Sequence, residues 1–243
     1  MSKTIAPVKK DLKSGRTLTS VIARTERTRS TGITPAPVRT VVHTPAKKVD
    51  GSMFTSVKTG KKKIVALACS TGGPKSLQQV IPMLPAKLDA GVVLVQHMPA
   101  GFTASLAARL NEDGDVIKKG WVYIAPGGKH IRIEKKGTDS VIKLSTEPPI
   151  EGLRPCANVM YESLTSSNYD EITCVVLTGM GADGTNGIKA LNKNHKNIYV
   201  IAQDEETSVV YGMPKAIAGT GLVNEVVPLN RVAEAFTKNV GVS

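Results

Sequence analysis

Cysteine is scarce in this chain of 243 residues. The three that occur, Cys69, Cys156 and Cys174, form no CxxC pair and leave an odd count. That pattern fits a reducing compartment better than a disulfide framework or a cysteine-built zinc site. No apolar run reaches the roughly 18 residues that read as a membrane-spanning helix. The first residues lack the apolar core of a secretory signal. A cytoplasmic location is the expectation. Internal repeats are also missing.

Acidic residues are rare in one place only. Residues 1–63 hold Asp11, Glu26 and Asp50 against 15 Lys and Arg, whereas residues 64–243 hold 17 basic and 17 acidic residues. The formal charge of +12 therefore belongs entirely to the N-terminal segment. A net-charge argument for nucleic-acid binding by the whole chain fails at that point. Residues 1–60 are rich in Lys, Arg, Ser, Thr and Pro, with too few apolar residues to repay the entropy of ordering. They read as a basic, flexible segment, either a solvated linker or an arm for an acidic partner or an anionic membrane surface.

From Lys61 the pattern changes, and residues 61–243 read as one domain. "KKIVALACS", "AGVVLVQH", "EITCVVLTGM" and "NIYVIAQ" are apolar runs of strand length, and "LVNEVV" is a shorter one. Between them lie helical patterns: "PKSLQQVIPML", "FTASLAARLN", "RPCANVMYESLTSS", "DGTNGIKALNKN", "GMPKAIAGTG" and "LNRVAEAFTKN". "VYIAPGGKHIRIEKKGTDSVIKLS" reads as a strand plus a hairpin. Alternating strands and helices predict an α/β domain with a mostly parallel sheet covered on both faces.

Sites in such sheets form beyond the carboxyl ends of the strands. Ser70 follows the first strand, His97 the second, and Asp183 the strand "CVVLT". A serine needs a general base, and the base needs a carboxylate that holds its tautomer. Each residue alone has a plainer reading as a turn, structural or helix-capping residue. Their joint placement carries the case. Of the other histidines, His43 lies in the basic segment, His195 in a polar helix end, and His130 in the hairpin. "GMGADG" also matches G-x-G-x-x-G, with Asp204 about 20 residues on. Asp183 would place a carboxylate in the loop meant for a pyrophosphate, which weighs against dinucleotide binding.

"STGGPKSL", "LVQHMPAGFTASLAARLN", "VYIAPGGKHIRI", "RPCANVMYESL", "VVLTGMGADGTNGIKAL" and "AQDEETSVVYGMPKAIAGTGLVNEVVPL" resemble, in order, the catalytic domain of the CheB family of chemoreceptor protein-glutamate methylesterases. The resemblance implies a doubly wound αβα sandwich with an antiparallel hairpin at one edge. It implies hydrolysis of glutamyl methyl esters on the cytoplasmic domains of methyl-accepting chemoreceptors, deamidation of receptor glutamines, and no cofactor or metal. By motif, Ser70 is the nucleophile, His97 the base and Asp183 the orienting acid. Thr71 and Met180 stand near the site, Met180 on the oxyanion side. The family's usual N-terminal receiver domain is not expected in residues 1–60, which are too short and lack an acidic phosphorylation pocket. Cys69 stands where the family usually has alanine, and Ala182 where it often has asparagine. The alternative is a receptor-binding scaffold of the same fold with little turnover.

Overall fold

The computed structural model describes residues 60–103 and 112–243. The basic segment lies outside them, as does most of the helix expected over residues 102–111. The described chain runs β1 (Lys63–Cys69), α1 (Gly73–Val80), β2 (Gly91–Gln96), β3 (Val122–Ile124), β4 (His130–Lys136), β5 (Asp139–Ser145), α2 (Ala157–Ser163), β6 (Glu171–Val176), α3 (Thr185–Lys193), β7 (Ile198–Gln203), α4 (Met213–Ala218), β8 (Glu225–Val227) and α5 (Val232–Val240).

Six strands form a parallel sheet in the order β3-β2-β1-β6-β7-β8. Successive side chains of a strand point to opposite faces, so a strand covered twice must be apolar throughout. β1 meets that demand: Ile64 to Cys69 are fully buried. Ile64, Ala66 and Ala68 face one layer, with Tyr161 of α2, Ile188 and Leu191 of α3, and Ile217 of α4. Val65, Leu67 and Cys69 face the other, with Leu77 and Val80 of α1 and Phe236 of α5. The doubly wound α/β sandwich expected from the sequence is the fold observed. Each fully buried aliphatic side chain in these layers contributes about 1.5–3 kcal/mol.

The hairpin β4–β5 forms a two-stranded sheet separate from the parallel one, with β5 also bridged at Val141 to Val116. Edge strand β3 is three residues long and offers little ladder to extend. The hairpin instead turns Ile131, Ile133 and Ile142 into the cluster shared with α2.

The chain winds outward from β1 toward β3, then from β6 toward β8. The strand order therefore reverses between β1 and β6, and a crevice opens beyond their carboxyl ends.

Candidate functional site

β1 and β2 end level with each other. Cys69 is paired with Gln96, so Ser70 and His97 are the next residue on each strand. The His97 N–H donates to the Cys69 carbonyl at 3.1 Å, and the Ser70 N–H donates to the Thr178 carbonyl, just past β6, at 3.0 Å. Ser70 thus sits at the reversal point, between the loops that follow β2 and β6. Its surroundings are built from glycine. A Cβ on Gly179 would lie 2.8 Å from the Ser70 Cβ, and one on Gly72 would lie 2.7 Å from Val209. Gly72 also takes a left-handed φ of 86° to start α1.

His97 and Asp183 are in direct contact: His97 Nε2 lies 2.7 Å from Asp183 Oδ2. The two side chains are 9% and 3% exposed, so this pair is shielded from solvent. Ser70 is half-buried, and its hydroxyl has no hydrogen-bond partner among the described residues. Thr71 is exposed, and Met180 is 74% exposed, so both belong to the rim. The structure therefore joins two of the five expected residues directly, places Ser70 level with His97 at the end of the neighbouring strand, and puts Thr71 and Met180 around them.

Asp183 does more than meet His97. Oδ2 also accepts the Ala157 N–H at 2.6 Å. Oδ1 accepts the N–H groups of Asn158 and Gly184, each at 2.9 Å, and the Cys156 thiol at 3.2 Å. Ala157 and Asn158 open α2, so Asp183 caps a helix other than its own. Asn158 returns the contact. Its Oδ1 accepts the N–H groups of Gly184 and Gly187, at 3.0 and 2.8 Å, at the start of α3. α2 is thus capped from the loop that leads into α3, and α3 from the first turn of α2.

These donors set the charge state. Burial alone would push the Asp183 carboxyl up; the bonds from His97, Ala157, Asn158 and Cys156 outweigh it and hold the group below its ordinary value. The Cys156 thiol moves the opposite way, up to about 12, through burial and the adjacent Asp183 charge. Cys69 is pushed up by burial alone, which makes it a poor second nucleophile. The same donor count bears on "GMGADG". The amides of Gly184 and Gly187 that would cradle a pyrophosphate are already taken by Asp183 and Asn158.

The two other described histidines stand apart, and His43 lies outside the described residues. His130 is fully buried, with Nε2 3.1 Å from the Pro148 carbonyl oxygen, and His195 is exposed. Among the described residues no three His, Cys, Asp or Glu side chains are grouped to hold a metal ion.

Several contributors escaped the sequence reading. Asn158 and Cys156 reach Asp183 and its loop across the α2–α3 contact. Gln96 lies under Ser70 and His97, donating from Nε2 to both of their carbonyls. A signal for Gln96 exists: an amide closes the otherwise apolar buried run "GVVLVQ", and such a group must find partners. Gln203 closes "IYVIAQ" the same way. Its Oε1 accepts the Thr178 N–H at 2.8 Å, and Thr178 Oγ1 donates to the Thr71 carbonyl at 2.9 Å.

The sequence pattern of the family described as CheB methylesterase matches residues 65–236. A protein-glutamate methylesterase/protein-glutamine glutaminase of Desulfotalea psychrophila is 41% identical over 226 residues, covering 88% of this chain and 61% of that protein. A protein of the same description from Symbiobacterium thermophilum is 40% identical over 234 residues, covering 90% of this chain and 62% of that protein. The chain thus spans about three-fifths of the length of these relatives. The crystal structure of the Thermotoga maritima CheB methylesterase catalytic domain matches with a TM-score of 0.70 and 37% identity, over 74% of this chain and 100% of that domain.

Proposed function

Because this chain belongs to the CheB methylesterase family, we propose that it is a serine hydrolase that removes methyl groups from glutamate methyl esters of chemoreceptors and deamidates receptor glutamines. The observation that carries the reading is the buried His97–Asp183 pair, level with Ser70 at the neighbouring strand end beside the sheet's reversal point.

The chemistry follows from which histidine nitrogen is engaged. Asp183 holds Nε2–H, so Nδ1 is left with its lone pair and is the base. Nδ1 takes the Ser70 proton as Oγ attacks the glutamyl ester carbon. The imidazolium formed is stabilised by the adjacent carboxylate. It then protonates the departing methoxide, and methanol leaves an acyl-enzyme at Ser70. A water, deprotonated by the same nitrogen, attacks that ester and frees glutamate and Ser70. With a glutamine substrate the leaving group is ammonia. The start of α1, three residues beyond Ser70, turns its positive end toward the developing oxyanion, and Met180 and Thr71 flank it.

The partners proposed are the cytoplasmic domains of methyl-accepting chemoreceptors. The basic residues 1–60 are proposed to add affinity for an anionic membrane or acidic receptor surface, in the cytoplasm. No described helix is long and apolar enough to cross a membrane. Residues 61–243 constitute the hydrolase unit of the proposal.

Incubation with methylated receptor tests it. Ser70→Ala should abolish methanol release while the melting temperature stays within about 2 °C of wild type, as for a change that empties no core. Methanol release by folded Ser70→Ala at the wild-type rate would refute the assignment.

A further inference from the structure

Beyond the Cys69–Gln96 pair the two strands part. Ser70 turns toward the loop after β6, and His97 leads into "MPAG". One main-chain bond remains, from the His97 N–H to the Cys69 carbonyl at 3.1 Å; beyond it no main-chain bond among the described residues joins Ser70 to His97. One side chain spans the gap. Gln96 Nε2 donates to the Ser70 carbonyl at 2.9 Å and to the His97 carbonyl at 3.0 Å. Both acceptors are carbonyls, so the nitrogen must face them. The oxygen faces the other way and accepts the buried Cys69 thiol at 3.1 Å. Gln96 is 2% exposed, so this amide cannot turn to water for other partners. Space for it is cut from the opposite side: a Cβ on Gly73 would lie 1.9 Å from Gln96 Oε1.

We propose that Gln96 is a positioning residue that sets the spacing of Ser70 and His97 by tethering both main chains to one planar amide. This rests on the triad reading given above. Gln96 touches neither substrate nor reacting atoms, so its effect belongs on the chemical step. A displacement of about 1 Å between reacting groups costs on the order of 100-fold in rate. The Cys69 thiol orients the amide, which gives that buried cysteine a use that alanine could not supply.

The test is the rate of covalent labelling by a fluorophosphonate, resolved into a maximal rate and an apparent affinity, with melting temperature measured alongside. Wild type and Ser70→Ala come first. If wild type does not label, the triad reading falls and this proposal with it. Given Ser70-dependent labelling, Gln96→Met keeps the volume and removes both donors. The expected result is a maximal rate lower by on the order of 100-fold, with apparent affinity within threefold. Gly73→Ala, which pushes the amide out while keeping the glutamine, should give the same split. A role confined to stability would lower the melting temperature and leave the rate of the folded fraction unchanged. Folded Gln96→Met labelling within threefold of wild type overturns the proposal. Where Gln96→Met does not fold, Gly73→Ala decides by the same criterion.

Discussion

Asp183→Asn is isosteric, and a triad acid that served only the histidine could be exchanged this way without loss of stability. The hydrogen bonds of Asp183 lead to a different expectation. Its two oxygens face five donors: three on Oδ1 and two on Oδ2. An asparagine has one acceptor oxygen, so its amide nitrogen must oppose donors on one side. The cheaper choice puts the nitrogen at the Oδ2 position. There the Ala157 N–H is left facing another donor, buried and unpaired, and His97 must switch tautomer to accept. One orphaned buried donor costs about 1–3 kcal/mol, and the three bonds left on the oxygen lose their charge assistance. Together these give about 2–5 kcal/mol of destabilisation, or about 5–15 °C in melting temperature for a domain of this size. The tautomer switch also places a proton on Nδ1, the nitrogen proposed as base, so turnover should drop about ten-thousand-fold. Calorimetry and methanol release on the same preparation measure both effects. A variant with lost turnover but a melting temperature within about 2 °C of wild type would show that the carboxylate does not hold the start of α2, and the reasoning would fail.

Acid should reveal the same carboxylate. Asp183 titrates below its ordinary value when folded, so its stabilisation is complete above roughly pH 4 and drains away as pH falls through the folded value. The melting-temperature gap between wild type and Asp183→Asn should therefore narrow on acidification; parallel curves would contradict this. The thiols give a third check. Cys69, Cys156 and Cys174 are 0%, 1% and 0% exposed, and Cys156 is raised to about 12. At pH 8 its thiolate fraction is on the order of one in ten thousand. A disulfide reagent should find no reactive thiol in the native protein and three after denaturation; stoichiometric reaction of folded protein would refute the burial.

The parts of the fold readable from sequence were those with one strong cause. β1, β2, β6 and β7 are covered on both faces, and that demand leaves continuous apolar runs that cannot be mistaken for loops. His97 and Asp183 could be placed because chain order and sheet topology bring strand ends to one edge. The separateness of the hairpin was not readable: it depends on β3 being too short to extend, and nothing in "VYIAPGG" sets that length. Asn158 was invisible for a similar reason. Its partners, Gly184 and Gly187, are 26 and 29 residues away and meet it only after α2 and α3 pack. Asp183 had a plainer reading as a cap of the helix that follows it. It is a cap, but of α2, and that use does not compete with holding His97, because one carboxylate has room for both.

The contrast between the floor of the site and its rim has an evolutionary consequence. Gln96, Thr178 and Gln203 are buried and hydrogen-bonded to the turns that carry Ser70 and His97 or to each other, so exchanging any of them disturbs stability and geometry at once. Thr71, Met180 and Val209 stand in solvent around Ser70, where substitutions typically shift stability by no more than about 0.5 kcal/mol. Preference for one protein surface over another can therefore drift through the rim at almost no thermodynamic cost. The reaction itself stays anchored in the layer beneath, where selection has far fewer neutral moves.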